Sequence, residues 1–348
     1  MIDTNLPEFS FSKAEAAMAR QDQLTKPPGS LGRLEEISVK LAGIQNTNEP
    51  LIRNSAIIVA AASHGIAARG VSAFPSSVTE QMVLNFLNGT AAINVLAKSS
   101  DSRVFVVDAG VDADFKENSK LIRSKVSKGT SDFSKEFAMS KNQAEQIVKN
   151  GIEFVQSRIA GKFEVIAIGD MGIGNTTCAS AITAAVTSTN TKEVTGRGTV
   201  INDKSLENKK KLIVEALLLH KPNSLDPIDI LSKVGGYEIG FLCGCILGAA
   251  KNRIATVLDG FPTTAAGLLA LLFNENIRNY LLAGHRSQEP GHKIALNFMG
   301  LKPILDLDMR LGEGSGAALA LPIIKSSCDT LNEMLTFEDA AVDKSNEV

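Results

Sequence analysis

The stretch Glu164-Val165-Ile166-Ala167-Ile168-Gly169-Asp170-Met171-Gly172-Ile173-Gly174-Asn175-Thr176-Thr177 decides how the chain folds, because an apolar β-branched run passes through glycines straight into a small-residue helical pattern. Glu164 to Gly169 reads as a strand and Thr176 to Thr187 as a helix. Backbone N–H groups at such a helix start, with the helix dipole behind them, form a seat for a phosphate or another anion, which makes Gly172, Gly174, Asn175 and Thr176 candidate binding residues. The segment lacks the Gly-Lys-Ser/Thr ending of a Walker loop, and its glycine spacing is not the dinucleotide fingerprint. Taken alone, a capped helix whose glycines serve packing is the alternative reading.

The same alternation extends in both directions, over residues 55 to 334. Five further runs read as strands: Ser55 to Ala62, Arg103 to Asp108, Arg253 to Leu258, Asn279 to Ala283 and Pro303 to Leu307. Between and around them lie the helical patterns Val78 to Lys98, Lys141 to Ser157, Lys204 to His220, Gly236 to Ala250, Pro262 to Phe273 and Gly314 to Met334. Strands alternating with helices mark a parallel sheet, and strands that are apolar almost throughout are covered on both faces. The expectation is an α/β fold with a six-stranded, Rossmann-like parallel sheet flanked by helices. Residues 1–50 show only helices, Ser12 to Gln23 and Arg33 to Ile44, around the break Lys26-Pro27-Pro28-Gly29-Ser30. They are expected to join about 314–348 in a small discontinuous helical domain, leaving 51–313 as the large α/β domain. Residues 110 to 140 read as a polar excursion between strands, and the tail from Glu338 to Val348 is expected to fray.

The 348 residues are 44% hydrophobic and 21% charged, which excludes a disordered or fibrous chain and implies a sizeable core. A net charge of −2 gives no electrostatic case for nucleic acid. The N-terminal Met1-Ile2-Asp3-Thr4-Asn5-Leu6 lacks the basic and apolar regions of a secretory signal, so a cytoplasmic protein is expected. The longest charge-free apolar run, Ile239 to Ala250, is too short to span a bilayer, which needs roughly 20 residues. Cys178, Cys243, Cys245 and Cys328 fit neither a disulfide framework nor a zinc spacing.

In open α/β sheets ligands bind beyond the carboxyl ends of the strands. Those ends carry Ser63-His64-Gly65, Asp108-Ala109-Gly110, Asp170-Met171-Gly172, Asp259-Gly260, Gly284-His285 and Asp308 to Gly314. One such pair of polar residue and glycine is ordinary turn chemistry, whereas six along one edge favour an active site. Glu313, set in Gly312-Glu313-Gly314-Ser315-Gly316, can reach a substrate proton without its neighbours blocking access and is the best general-base candidate. The competing reading is a glutamate that complements the helix dipole. Gly196-Arg197-Gly198-Thr199 and Lys209 could add cationic phosphate contacts. His285 and His292 are not spaced as HExxH, and Asp108, Asp112 and Asp114 miss the calcium-loop spacing, so no metal and no other cofactor is expected. Ser30, Ser63 and Ser315 do not form the G-x-S-x-G of hydrolases.

These residues resemble a known family. Leu24-Thr25-Lys26-Pro27-Pro28-Gly29-Ser30-Leu31-Gly32-Arg33-Leu34-Glu35, His64-Gly65, Val78-Thr79, Gly172 to Thr177, Lys233-Val234-Gly235-Gly236, Leu258-Asp259-Gly260-Phe261 and Met309 to Ala320 are similar to the nicotinate-nucleotide:5,6-dimethylbenzimidazole phosphoribosyltransferases of cobalamin assembly. The resemblance implies a homodimer that moves 5-phosphoribose from nicotinate mononucleotide to the benzimidazole. It implies that Glu313 is the catalytic base, that Asp170, often Glu in relatives, borders the same site, and that Lys209 lies near the substrate phosphate. A second carboxylate such as Asp170 can stabilise the positive charge near C1′ or the aromatic cation, which makes it a catalytic candidate beside Glu313. By position, Phe74, Gln81, Met82 and Leu311 match the residues lining the acceptor pocket, with Gly312 and Gly314 framing the base. Arg197, Val200 and Asn202 fall in a loop to which no role transfers. Phosphoribosyl transfer to another acceptor, such as adenine, another benzimidazole or a phenol, is the first rival reading. A non-catalytic nucleotide-binding protein, with no need for Glu313, is the second.

Overall fold

The computed structural model describes residues 2–198 and 201–343. Along the chain it runs α1 (Phe11–Gln21), α2 (Arg33–Gln45), β1 (Ser55–Ala62), α3 (Val78–Asn88), α4 (Ala92–Leu96), β2 (Arg103–Gly110), β3 (Leu121–Arg123) and α5 (Lys141–Phe154). It continues with β4 (Val165–Met171), α6 (Asn175–Thr187), α7 (Thr191–Val194), α8 (Asp203–His220), α9 (Pro227–Val234) and α10 (Tyr237–Lys251). The last elements are β5 (Ala255–Leu258), α11 (Phe261–Phe273), β6 (Leu281–His285), α12 (Pro290–Met299), β7 (Pro303–Leu305) and α13 (Ser315–Glu333).

All neighbouring strands pair in parallel, in the order β3-β2-β1-β4-β5-β6-β7. The chain begins in the middle of the sheet, builds one edge, then returns beside β1 with β4. The order therefore reverses between β1 and β4, where the connections leave in opposite directions and open a crevice at the strands' carboxyl ends. Every residue of β1, β5 and β6 is buried, as the uniformly apolar runs require for strands covered on both faces.

The sheet has seven strands rather than the expected six. The extra one, β3, lies in what the sequence presents as a polar excursion, and pairs Leu121 with Val106 and Arg123 with Asp108 at the sheet edge. Its three residues carry too little pattern to announce a strand; the exposed backbone of β2 supplies the template. The single helix expected over Val78 to Lys98 divides into α3 and α4, because Gly89 takes φ +77° and ends α3 in a left-handed cap. Three helices that the sequence reading does not contain are the four-residue α7 and the longer α9 and α12, the last two of which begin on a proline, Pro227 and Pro290. In the tail, Ala340 N–H donates to Thr336 O and Val342 N–H to Phe337 O, and just before it Leu24 bridges Thr336. Lys344 to Val348, the rest of that tail, lie outside the described residues, as do Thr199 and Val200.

The two chain ends meet. Arg20 donates to the carbonyls of Leu331, Asn332 and Met334, and α2 lies between α1 and α13 while sending Ile37, Leu41 and Ile44 into the main core. The apolar run of α10 is buried throughout, and at its contact with α5 the backbones touch: a Cβ on Gly244 would sit 2.0 Å from Val148 O. Among the described residues no helix is long and apolar enough to cross a membrane.

Candidate active site

A cavity of about 780 Å³ opens at the crevice between β1 and β4, within the ordinary size range of small-molecule sites. Its floor is the end of β4, with Asp170, Met171 and Gly172, and the loop Leu311-Gly312-Glu313. Asn175 and Thr176 come from the first turn of α6, and Phe74, Val78 and Met82 from α3 and the segment before it. His285 ends β6, Ser287 and Glu289 follow it, and Gly260, Phe261 and Pro262 start α11.

Glu313 reaches the floor through an unusual backbone. Gly312 and Gly314 both have φ +88°, and Glu313 between them has φ +63°, a region that disfavours a side chain. The loop lies directly on β4: Glu313 N–H donates to Asp170 O at 3.2 Å, and a Cβ on Gly169 would stand 2.3 Å from the carbonyl carbon of Glu313. The glycine seen in the sequence as the end of a strand is thus what lets the glutamate loop dock. The Glu313 side chain is 5% exposed, and its Oε2 accepts the Ile93 N–H at the start of α4 at 3.3 Å. Burial raises its proton affinity above the ordinary glutamate value, Ile93 opposes that, and the charge of Asp259 adds to it. A carboxylate shifted in this direction is a stronger base.

Asp170 is also buried, with Oδ2 accepting from Asn175 Nδ2 at 2.8 Å and Oδ1 without a hydrogen-bond partner among the described residues. Its proton affinity is pushed well above the usual range, first by burial and then by the charges of Asp259, Glu238 and Glu313, against the Asn175 hydrogen bond. Beneath the Gly172 turn lies a closed ionic cluster, in which His64 Nε2 faces Glu238 Oε1 at 2.9 Å and Nδ1 meets Cys178 Sγ at 3.3 Å. Burial works against the charge on His64, but Glu238 and Cys178 hold the imidazole protonated well above its ordinary range.

Of the residues named from the sequence, the cavity wall brings together Glu313, Asp170, Gly172, Asn175, Thr176, Phe74, Met82, Leu311 and Gly312. Gly174 caps α6 with φ +99°, and Gly314 lies under the wall against Ile57 and Gly169. Gln81 is exposed and off the wall. Lys209 is fully buried behind the wall, where Nζ donates to Thr176 Oγ1 at 2.8 Å and Gly196 O at 3.3 Å. Burial lowers its pKa to about 8, partly offset by Glu289. Arg197 pairs with Asp203 rather than facing the cavity. The sequence reading gave no role to His285, Glu289 or Asp259; His285 and Asp259 were visible as polar residues at strand ends, while nothing local distinguishes Glu289.

A crevice at the switch point of a parallel sheet, with a buried carboxylate on its floor and a helix start at its wall, fits an enzyme that handles a phosphorylated sugar. The sequence profile of the phosphoribosyltransferase family matches residues 6–342. The nicotinate-nucleotide–dimethylbenzimidazole phosphoribosyltransferase of Chloroflexus aggregans is 52% identical over 334 residues, 96% of this chain and 95% of that protein. The enzyme of the same name from Roseiflexus sp. is 51% identical over 94% of this chain and 93% of its own. The crystal structure bearing this name from Thermus thermophilus superposes with a TM-score of 0.92 at 41% identity, covering 97% of this chain and all of that one. The chain belongs to the nicotinate-nucleotide–dimethylbenzimidazole phosphoribosyltransferase family.

Proposed function

We propose that this protein transfers the 5-phosphoribosyl group of nicotinate mononucleotide to 5,6-dimethylbenzimidazole, releasing nicotinate and α-ribazole 5′-phosphate. The observation that carries the residue assignment is Glu313, a buried carboxylate of raised proton affinity held on the floor of the cavity. The N-terminus of α6, with Gly172, Asn175 and Thr176, is the seat for the phosphate. Lys209 braces that seat by donating to Thr176 Oγ1. Phe74, Val78, Met82 and Leu311 supply apolar surface for the aromatic acceptor.

The pyridine nitrogen of nicotinate mononucleotide is already cationic. As its bond to C1′ breaks, the electron pair returns to the ring, and the departing nicotinate needs no proton. One nitrogen of the benzimidazole attacks C1′ from the opposite face, and Glu313 accepts the proton on the other. Inversion converts the β-nucleotide into the α-product. A positioned base of this kind contributes about 10²- to 10⁴-fold. Because the Glu313 proton affinity is raised, kcat is expected to fall on the acid side at a pH above the ordinary glutamate value of 4.5.

Replacement of Glu313 by Gln tests this assignment. Nicotinate mononucleotide should bind within a few-fold of wild type while turnover falls by about 10²-fold or more; turnover near the wild-type level would overturn it. We also infer a homodimer in the cytoplasm, where phosphorylated nucleotides are held. The half-exposed apolar Phe74 and Leu311 at the cavity mouth support a covering subunit, and light scattering after gel filtration would read its mass. The ties between α1, α2 and α13 support treating 1–50 and about 314–348 as one small unit beside 51–313.

A further inference from the structure

The loop that carries Glu313 is held from below by a carboxylate that the reaction does not consume. Asp259 follows β5, is fully buried, and has both oxygens committed to the start of α13: Oδ2 accepts from Gly314 N–H at 3.1 Å, and Oδ1 from Gly316 at 2.7 Å and Ala317 at 3.0 Å. These amides belong to the first turn of a helix and have no intrahelical acceptor. The first of them, Gly314, immediately follows Glu313. A Glu at φ +63° pays a conformational cost that only a surrounding constraint can sustain. β4 limits the loop from one side through Gly169, and Asp259 fastens it from the other.

We propose that Asp259 is a positioning residue that clamps the start of α13 and so fixes Glu313 in the conformation that accepts the acceptor's proton. Resting on the reading of Glu313 as the base, the inference adds how that base is held and why Leu258-Asp259-Gly260-Phe261 has the form it does. The Asp259 backbone is itself fixed, because its N–H donates to Thr263 Oγ1 at 3.0 Å, and that hydroxyl donates to Gly260 O. The charged or titratable groups around the clamp are Asp170 from β4, His285 from β6, with Nε2 3.5 Å from Asp259 Oδ1, and Glu313 itself; His292 of α12 lies behind His285. Among the described residues His285 has no hydrogen-bonded partner on either ring nitrogen, and Gly316 leaves its ring just enough room, since a Cβ there would be 2.1 Å from Cδ2. Asp259 therefore acts on Glu313 twice, through the backbone and through its negative charge.

The test compares wild type, Asp259→Asn, Thr263→Val and Glu313→Gln in steady-state kinetics with nicotinate mononucleotide and dimethylbenzimidazole, with thermal unfolding measured alongside. In Asp259→Asn one acceptor remains, but the amide nitrogen turns a donor toward the Gly314 N–H. The expected result is a fall in kcat of about 10- to 100-fold, the scale of a base displaced by roughly 1 Å, with both KM values within about threefold. Loss of the charge should also move the acidic limb of the kcat profile to lower pH, which a purely structural defect would not do. Wild-type kcat with an unmoved limb, or a loss carried by KM alone, overturns the clamp. If Asp259→Asn does not unfold cooperatively, Thr263→Val, which frees the Asp259 backbone and leaves its charge, decides the matter. A kcat loss at unchanged KM supports the clamp, and wild-type kcat contradicts it. Glu313→Gln keeps the two readings apart: if it turns over like wild type the base assignment fails, whereas an inactive Glu313→Gln beside a fully active Asp259→Asn removes only the clamp.

Discussion

The packing of α10 on α5 and the docking of the Glu313 loop on β4 use the same device for opposite purposes. In both places a glycine lets two backbones touch: Gly244 against Val148 O, and Gly169 against the Glu313 carbonyl. Around Gly244 everything is apolar, and close approach yields packing alone. Around Gly169 the approach brings Asp170, Asp259 and Glu313 into one buried region, where each carboxylate raises or is raised by another. Close packing at the helix layer stabilises the fold, while at the end of the central strand β4 it gathers buried carboxylates. Burial of charge is tolerated there because backbone amides and His285 surround Asp259, and the cost remains visible in the unpartnered oxygen of Asp170.

The comparison can be broken most severely at Gly244. A Cβ placed 2.0 Å from a backbone oxygen cannot be absorbed by a rotamer change, so Gly244→Ala should lower unfolding free energy by about 1–3 kcal/mol or more, with unaltered kcat per folded molecule. Denaturant titration with active-site-normalised rates would read both. At Gly169 the same substitution should act on the other quantity. Pushing the Glu313 loop off β4 should cost kcat on the order of 10²-fold, a larger loss than its effect on KM. Equal behaviour of the two variants would erase the distinction.

Asp170 sharpens it further. Its proton affinity is raised in the folded chain by burial first and neighbouring carboxylates second. An acid raised on folding contributes stability that is present below its unfolded pKa and is lost as pH climbs toward the folded value. Asp170→Asn removes that loss, so its stability relative to wild type should grow as pH rises above the ordinary aspartate value of 3.8. Each tenfold rise in proton affinity on folding is worth about 1.4 kcal/mol of that growth. A difference that stays flat with pH would mean that Asp170 titrates as an ordinary carboxylate. The smallest effect belongs to the exposed Lys128–Asp114 pair at 2.5 Å. Lys128→Ala should leave both the unfolding midpoint and turnover unchanged within error.

Most of the sheet was legible because its strands are buried on both faces and therefore uniformly apolar; Ser55–Ala62 stands where the sequence places it. β3 was not, since its three residues are ordered by the neighbouring strand's hydrogen bonds rather than by their own pattern. The helix starts at Pro227 and Pro290 carried a local signal in the preceding acidic residue and the proline, but their apolar faces are short. At the site, Glu313 and Asp170 could be read from their glycines. The position of Lys209 could not: nothing along Lys209-Lys210-Lys211 distinguishes the one ammonium that α8 turns inward against Thr176. Nor could the Asp259 clamp, whose donors lie 55 to 58 residues further along the chain.

The measurement that tests the account most directly is product analysis by chromatography and proton NMR after mixing the purified protein with nicotinate mononucleotide and 5,6-dimethylbenzimidazole. The account predicts nicotinate and ribazole 5′-phosphate in equal amounts, the latter with its anomeric proton in the α configuration, as inversion at C1′ requires. A β-configured product, or no nicotinate released in the presence of the benzimidazole, would contradict it.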